Sequence, residues 1–415
     1  MSTFSSDQLP ELLSVFYKRL FPYGPYYRWL SYGLVNPNAF ANREMSFTLP
    51  GDIYIRYQSF DKLEDFEHEL QRKCPEKIDI GGIYNIKPRL KRMTSTFEVE
   101  EKELVFDIDI TDYDSVRTCC KYADVCSKCW KLMSIATKIL DTSLRDDFGF
   151  KHILWVFSGR RGVHCWVCDD TARKLDSKVR SDIAEYLQLL SREDHTGKVA
   201  HIPPEIVHPS VKRALKIIKQ HFMNVCIEGQ DLLGTSSGMN KMLGLMDENL
   251  RAAVEPKWEK LTNSVERWNA FVAIFEDLLL KGQIKRRSKY LIDEIMLQYA
   301  YPRLDINVTK GSNHLLKSPF CIHPKTGKVC IPFNPANAFS FNPDSVPTIS
   351  TLVDEIQEFD AKEASIGENE DRTKRKVKDY KKTSMYKGMQ VFEEFLRNLE
   401  STWKNKRNND SSMEF

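Results

Sequence analysis

Two aspartates one residue apart open the chemical reading. In Leu104-Val-Phe-Asp-Ile-Asp-Ile, strand alternation puts Phe106, Ile108 and Ile110 on one face and Asp107 and Asp109 on the other. Side chains two positions apart on a strand lie roughly 6.6–6.8 Å from each other. Carboxylates at that spacing repel unless a cation sits between them, and hard divalent ions such as Mg²⁺ or Mn²⁺ take oxygen ligands. The same polarity surrounds Asp305: a strand there puts Leu304, Ile306 and Val308 on one face and Arg303, Asp305 and Asn307 on the other. A third carboxylate on a neighbouring strand completes a set for two ions, which align an attacking hydroxyl and stabilise a leaving pyrophosphate. Taken alone, Asp-x-Asp also fits a solvated strand face, or a transferase that binds a nucleotide sugar.

The complement to those carboxylates is Ser158-Gly-Arg-Arg-Gly-Val-His-Cys-Trp-Val. Gly159 and Gly162 allow a tight turn and a close backbone approach to a ligand. Arg160 and Arg161 offer fork-shaped donors that suit phosphate. His164 and Trp166 share one strand face; Val163, Cys165 and Val167 share the other. Ser158, the arginines and His164 suit a triphosphate carrying a flat base. Lys317 and His323, just after the Asp305 segment, add cations to the same phosphates or are surface and core residues respectively. Cys119-Cys120-x5-Cys126-x2-Cys129 offers four thiolates, matching a closed structural zinc site or a set of reduced, partly buried thiols. Cys165-x-x-Cys168 runs out of a strand and reads as packing.

These groups need elements to hold them. Helical periodicity marks the segment around Leu12–Phe21, residues 61–72, 130–145 and the final pattern through Leu399; strands are predicted on both sides of Pro50-Gly51, at Lys77–Tyr84, at Leu104–Ile110 and on both sides of the arginine turn. From Asp176 to Tyr301 the pattern is helical throughout. The chain has 415 residues, 41% hydrophobic and 29% charged, with formal net charge +3. That balance excludes collagen-like and broadly disordered classes, and any polyanion site must be local. No apolar run is long enough for a membrane helix, and Asp7, Glu11, Lys18 and Arg19 speak against a secretory signal. Ten cysteines in a chain of this length do not make a disulfide scaffold. The basic run 372–382 reads as a nuclear import signal or as a linker balancing the acidic run before it.

Together these motifs resemble the small, catalytic subunit of the archaeal–eukaryotic DNA primase family in its eukaryotic form. The resemblance is carried by Arg43-Glu-Met-Ser-Phe, Asp52-Ile-Tyr-Ile-Arg-Tyr, Lys77-Ile-Asp-Ile-Gly, the Asp107–Asp109 strand, the cysteine cluster, the Ser158–Val167 hairpin, Glu294-Ile-Met-Leu-Gln-Tyr and Pro302-Arg-Leu-Asp through Lys317-Ser-Pro-Phe. It implies an α/β (α+β) fold: a mixed-sheet catalytic core, discontinuous over 1–185 and 300–405, with a zinc motif at 119–129, an inserted helical subdomain at 186–299 and a flexible tail at 406–415. It implies a DNA-directed RNA polymerase that makes short primers de novo on single-stranded DNA. Asp107, Asp109 and Asp305 would bind two Mg²⁺ or Mn²⁺ ions, and Glu44 matches an acidic position tied to activity. Ser158, Gly159, Arg160, Arg161, Gly162, His164, Lys317 and His323 would hold the nucleoside triphosphate, with Asp79 and His314, Leu315 and Leu316 on the ribose side. Cys119, Cys120, Cys126 and Cys129 would be structural zinc ligands. The implied partners are a large iron–sulfur subunit in a heterodimer, the DNA polymerase α complex, template, ribonucleotides and the RNA–DNA product, in the nucleus and without membrane. The competing readings are a template-binding scaffold, with Tyr54, Tyr57 and Trp166 stacking on bases, and a nucleotide-sugar transferase.

Overall fold

A computed structural model describes residues 4–34, 36–190, 202–203, 205–366 and 377–412. Among the described residues nine strands form two sheets, and every pairing is antiparallel. The first sheet holds β1 (Arg43–Leu49), β2 (Ile53–Gln58), β3 (Lys77–Tyr84) and β4 (Val99–Glu101) in the order β2-β1-β3-β4. The second holds β5 (Leu104–Asp109), β6 (Ile153–Phe157), β7 (Gly162–Val167) and β9 (Pro332–Phe333) in the order β5-β7-β6-β9. The two-residue β8 (Leu316–Lys317) joins the first sheet by pairing with β3.

The helices before and between the strands are α1 (Leu9–Val15), α2 (Tyr23–Leu30), α3 (Leu63–Lys73), α4 (Ser127–Asp146) and α5 (Asp170–Arg173). A helical stretch follows: α6 (Ser177–Leu187), α7 (Pro209–Phe222), α8 (Ser236–Leu243), α9 (Glu248–Trp258), α10 (Ser264–Leu280) and α11 (Leu291–Ala300). The chain closes with α12 (Ile306–Lys310), α13 (Ile349–Ile366) and α14 (Tyr386–Ser412). No helix among the described residues is long and apolar enough to cross a membrane. Residues 372–376 of the basic run lie outside the described residues.

The second sheet separates two cores. Phe106, Ile108, Trp155, Phe157, Val163 and Cys165 face one side, where α4 packs and where buried side chains of α7, α9 and α10 continue the same core. Val105, Leu154, Val156 and Trp166 face the other, against the first sheet, α2 and α14. There Trp29 meets Trp166 edge-on at 5.5 Å and Phe392 at 5.9 Å. Along this second face β5 runs from Val105 to Asp107 and Asp109, and β7 runs back from Trp166 to His164. Greasy packing at one end of the face thus gives way to ionisable groups at the other.

Between the sheets lies a wholly buried ion pair. Arg43 donates to both oxygens of Glu103 at 2.7 and 2.9 Å, and Tyr32 donates a third bond at 2.5 Å. Burial alone would raise the Glu103 pKa, but the Arg43 charge and these bonds outweigh it and hold it at about 2. Isolated carboxylates are excluded from such surroundings; this one is tolerated because its lone pairs are filled.

Candidate active site

The strand register sets the first wall. Asp107 pairs with His164 and Asp109 with Gly162 across β5 and β7. The turn between β6 and β7 then depends on two glycines. Gly159 has φ +89°, and a Cβ on it would stand 2.6 Å from the His323 Cβ; a Cβ on Gly162 would meet the Ile108 carbonyl oxygen at 2.4 Å. Both positions exclude a side chain, and so the turn folds down onto the carboxylate strand and the His323 loop. The Ser158 hydroxyl accepts the Gly162 N–H at 3.0 Å.

The second wall comes from the first sheet. Asp79 pairs with Lys317 in the β3–β8 register, and the Lys317 ammonium crosses to the Ser158 carbonyl at 2.7 Å, tying the two sheets together. The resulting cavity has a volume of about 380 Å³. Five cations (Lys77, Arg160, Arg161, Lys317 and Lys325) line it with Asp107, Asp109, Ser158, His164, Leu316 and His323. Lys77 was absent from the sequence-derived site residues, although its alternation with Asp79 along β3 already puts the two on one face.

Asp305 departs from expectation. It is not on a strand: it sits at φ −79°, ψ 88° as the N-cap of α12, its carboxylate accepting the Asn307 N–H at 3.2 Å. The alternation of Leu304, Ile306 and Val308 imitated a strand, but an aspartate before a short helix satisfies an orphan backbone donor, and that preference wins. The Asp305 N–H donates to the Asp107 carbonyl at 3.2 Å, so the third carboxylate still lies beside the first strand.

Two further site residues are already engaged within the protein. Arg161, expected to point at phosphates, donates to Asp109 Oδ2 at 2.6 Å, while Thr111 donates to Oδ1 from its N–H at 2.9 Å and its hydroxyl at 2.8 Å. The guanidinium thus stands where a cation would meet Asp109. Around His323, burial, then Lys317 and Arg160, push the imidazole pKa down to about 3. His164 is likewise held at about 3, by burial and then by Lys317. Its Nε2 lies 3.7 Å from Asp107. Both imidazoles are neutral at pH 7 and offer N–H groups without charge.

Asp79, expected on the ribose side, lies 3.2 Å from the Ser46 hydroxyl, which lies 2.9 Å from the Tyr54 hydroxyl. Burial raises the Asp79 pKa. A Cβ on Gly81 would meet Leu315 at 3.3 Å, so Leu315 packs over that strand, while His314 feels the charges of Lys102, Asp305 and Arg56. Glu44 is not among the residues lining the cavity. Its side chain is fully buried and accepts two bonds from Arg56, at 2.9 and 3.1 Å, and one from the Tyr84 hydroxyl at 3.0 Å. The Tyr57 N–H also reaches it, at 3.4 Å. Arg56 itself was not expected from the sequence. Trp166, only 1% exposed, cannot stack on a base; Tyr54 is 51% exposed.

The cysteines form a separate centre. The sulfurs of Cys119, Cys120, Cys126 and Cys129 all lie within 4.8 Å of one another, with Cys126 and Cys129 at 3.9 Å. Tetrahedral zinc–sulfur bonds of about 2.3 Å need sulfurs roughly 3.8 Å apart. The cluster therefore fits a metal such as zinc. Thr118 and Cys119 donate their N–H groups to the Gln230 side chain at 2.9 and 3.4 Å, which anchors the loop to the helical stretch. Cys165 and Cys168 are buried, with no metal-ligating partners among the described residues.

Carboxylates and fork-shaped cations that face one cavity suit an enzyme that handles phosphorylated substrates. A family model described as DNA primase small subunit matches residues 106–335. A DNA primase small subunit of Drosophila melanogaster is 46% identical over 97% of this chain and 94% of its own. Those of Schizosaccharomyces pombe and Saccharomyces cerevisiae are 42% and 37% identical, covering 83% of this chain and 78% and 85% of their own. The chain belongs to the DNA primase small subunit family, and it is a nucleotidyltransferase.

Proposed function

We propose that this chain makes short RNA primers de novo on single-stranded DNA, by nucleotidyl transfer at Asp107, Asp109 and Asp305. The observation that carries the reading is the cavity that gathers Asp107 and Asp109 with the cationic Ser158–His164 turn, with the Arg161 guanidinium already seated on Asp109 and Asp305 bonded through its backbone N–H to the Asp107 carbonyl. A site that draws in a guanidinium suits a divalent cation. Two Mg²⁺ or Mn²⁺ ions would be held by the three aspartates and would supply hydroxyl activation and charge neutralisation at the leaving group. Arg161 exchanges Asp109 for phosphate when nucleotide enters. Arg160, Lys317 and Lys77 hold the triphosphate by charge, and neutral His164 and His323 donate hydrogen bonds to it. Asp79, set by Ser46, accepts from a sugar hydroxyl. Glu44 acts through Arg56 as a positioning residue.

The cysteine cluster holds structural zinc in this reading. The small-subunit family supports a primase complex on a DNA template; a heterodimer with a large subunit, association with the DNA polymerase α complex and work in the nucleus belong to the same proposal. The test is unprimed poly(dT) with labelled ATP and Mn²⁺. Ribo-oligomers from the native chain and none from Asp109→Asn are expected. Equal synthesis by the variant would overturn the assignment.

A further inference from the structure

A second and larger hollow, of about 750 Å³, lies beside the aspartate cavity and shares no residue with it. Its walls are β2, the end of β3, the 91–99 segment and the Gly311–Asn313 loop. Two neighbouring side chains, Arg56 and Lys91, bring positive charge to it, and the exposed Glu98 is the acidic residue in its lining.

The geometry is built around Lys91. Its ammonium sits 4.0 Å from the centre of the Tyr57 ring and 5.4 Å from that of Phe97, and donates to the Tyr57 hydroxyl at 2.7 Å. It makes no ion pair among the described residues. Phe97 stacks on Tyr84, which in turn donates to Glu44. Tyr57 stands at φ +61°, in a bulge where β2 carries one more residue than β1 between Met45 and Phe47. The bulge turns both Arg56 and Tyr57 to this side, and Glu44 holds it from beneath. A cation fixed over aromatic rings, with no carboxylate at ion-pair distance among the described residues, is preorganised for an anion.

Position says which anion. The segment that begins at Asp305 beside Asp107 passes through Gly311–Asn313 in the hollow, then His314, and enters the aspartate cavity at Leu316 and Lys317. Along β3, Lys77 marks the cavity and Tyr84 the hollow. Seven residues of strand separate them by roughly 23 Å. The hollow therefore lies at the other end of this segment from the phosphate-type pocket, with His314 and Leu315 between them. In-line transfer puts the attacking 3′-hydroxyl opposite the leaving pyrophosphate.

We infer that this hollow seats the RNA strand being extended, with Lys91 on a backbone phosphate and Arg56, fixed by Glu44, directing the strand's 3′ end past His314 to the aspartates. The inference rests on the proposed polymerase activity and adds the acceptor site to it.

The test is binding of the full chain to a fluorescent RNA-primed DNA oligonucleotide across a salt series without divalent metal. Losing one phosphate contact should lower the slope of log affinity against log salt by about 0.7–0.9. Lys91→Ala and Lys91→Gln should both show this, with affinity down by roughly threefold to tenfold, while Lys91→Arg restores it. ATP binding in Mn²⁺ and binding to the bare DNA strand should stay within twofold of the native chain. An unchanged slope would overturn the inference, as would equal loss on bare DNA, which would make the hollow a template site. A parallel loss of ATP binding would also overturn it. If the native chain incorporates no nucleotide on primed or unprimed DNA, the activity itself fails. If it does, and the Lys91 variants match it in slope and in KM for primer, only the acceptor site fails.

Discussion

Arg43–Glu103 and Arg161–Asp109 are chemically the same pair put to different uses. The first is wholly buried and bidentate, with Tyr32 filling a remaining lone pair. The second is 40% and 20% exposed, uses one carboxylate oxygen and opens onto a cavity. A buried pair has no solvent to replace a lost partner, so it behaves as a joint. A half-exposed pair is worth little in stability and can exchange partners cheaply. The difference separates the residues that hold the two sheets together from those that work between them.

The comparison breaks most readily at the joint. Glu103→Gln should cost about 3–5 kcal/mol, because it strands the Arg43 charge in the interior. Urea denaturation measures this; a loss below about 1 kcal/mol would mean the pair is no joint. The Asp109→Asn variant should reverse the pattern: nucleotide incorporation falls at least about a hundredfold, while stability moves by less than about 1 kcal/mol.

Acid separates the two settings further. His164 and His323 have folded pKa values near 3, below the unfolded 6.5. The unfolded chain therefore takes protons first, and stability is lost as pH falls from about 6.5 towards 3. The slope is at most about 1.4 kcal/mol per pH unit for each group. Glu103, at about 2 against an unfolded 4.5, gives stability that is lost only below pH 4.5. His164→Asn should flatten the decline from pH 6.5 down to about 3 and leave in place the Glu103 contribution that is lost below pH 4.5, read by thermal melts at stepped pH. The smallest effect concerns exchange: without nucleotide, Arg161→Gln should tighten Mn²⁺ binding by at most about fivefold. Manganese spin-resonance titration checks it, and weaker binding would mean that Arg161 helps rather than competes.

What could be read from sequence was what is local. The Asp107–Asp109 alternation, the glycine-bounded arginine turn and the four cysteines each announce themselves within a dozen residues, and each is where its pattern puts it. Asp305 misled because an alternating pattern across a cap looks like a strand, and only the backbone bond to Asp107 reveals its place. The partner of Arg161 was not legible, since charge pairing follows proximity across β5 and β7. Nor was the burial of Glu44 on Arg56, which depends on a one-residue bulge twelve positions away. The neutrality of the two histidines is a property of burial, which no motif spells out.

The packing of α14 carries a consequence for synthesis on the ribosome. Phe392 closes the core behind Trp29 and Trp166, on the same sheet face that carries Asp107 and His164. Residues from about 20 to about 390 must therefore all be made before that face is sealed. At roughly 5–20 residues per second, the nascent chain spends on the order of half a minute with an open apolar surface. The sheet face that carries Asp107 and His164 is therefore among the last parts of the molecule to be covered, and chaperone demand should fall on that interval.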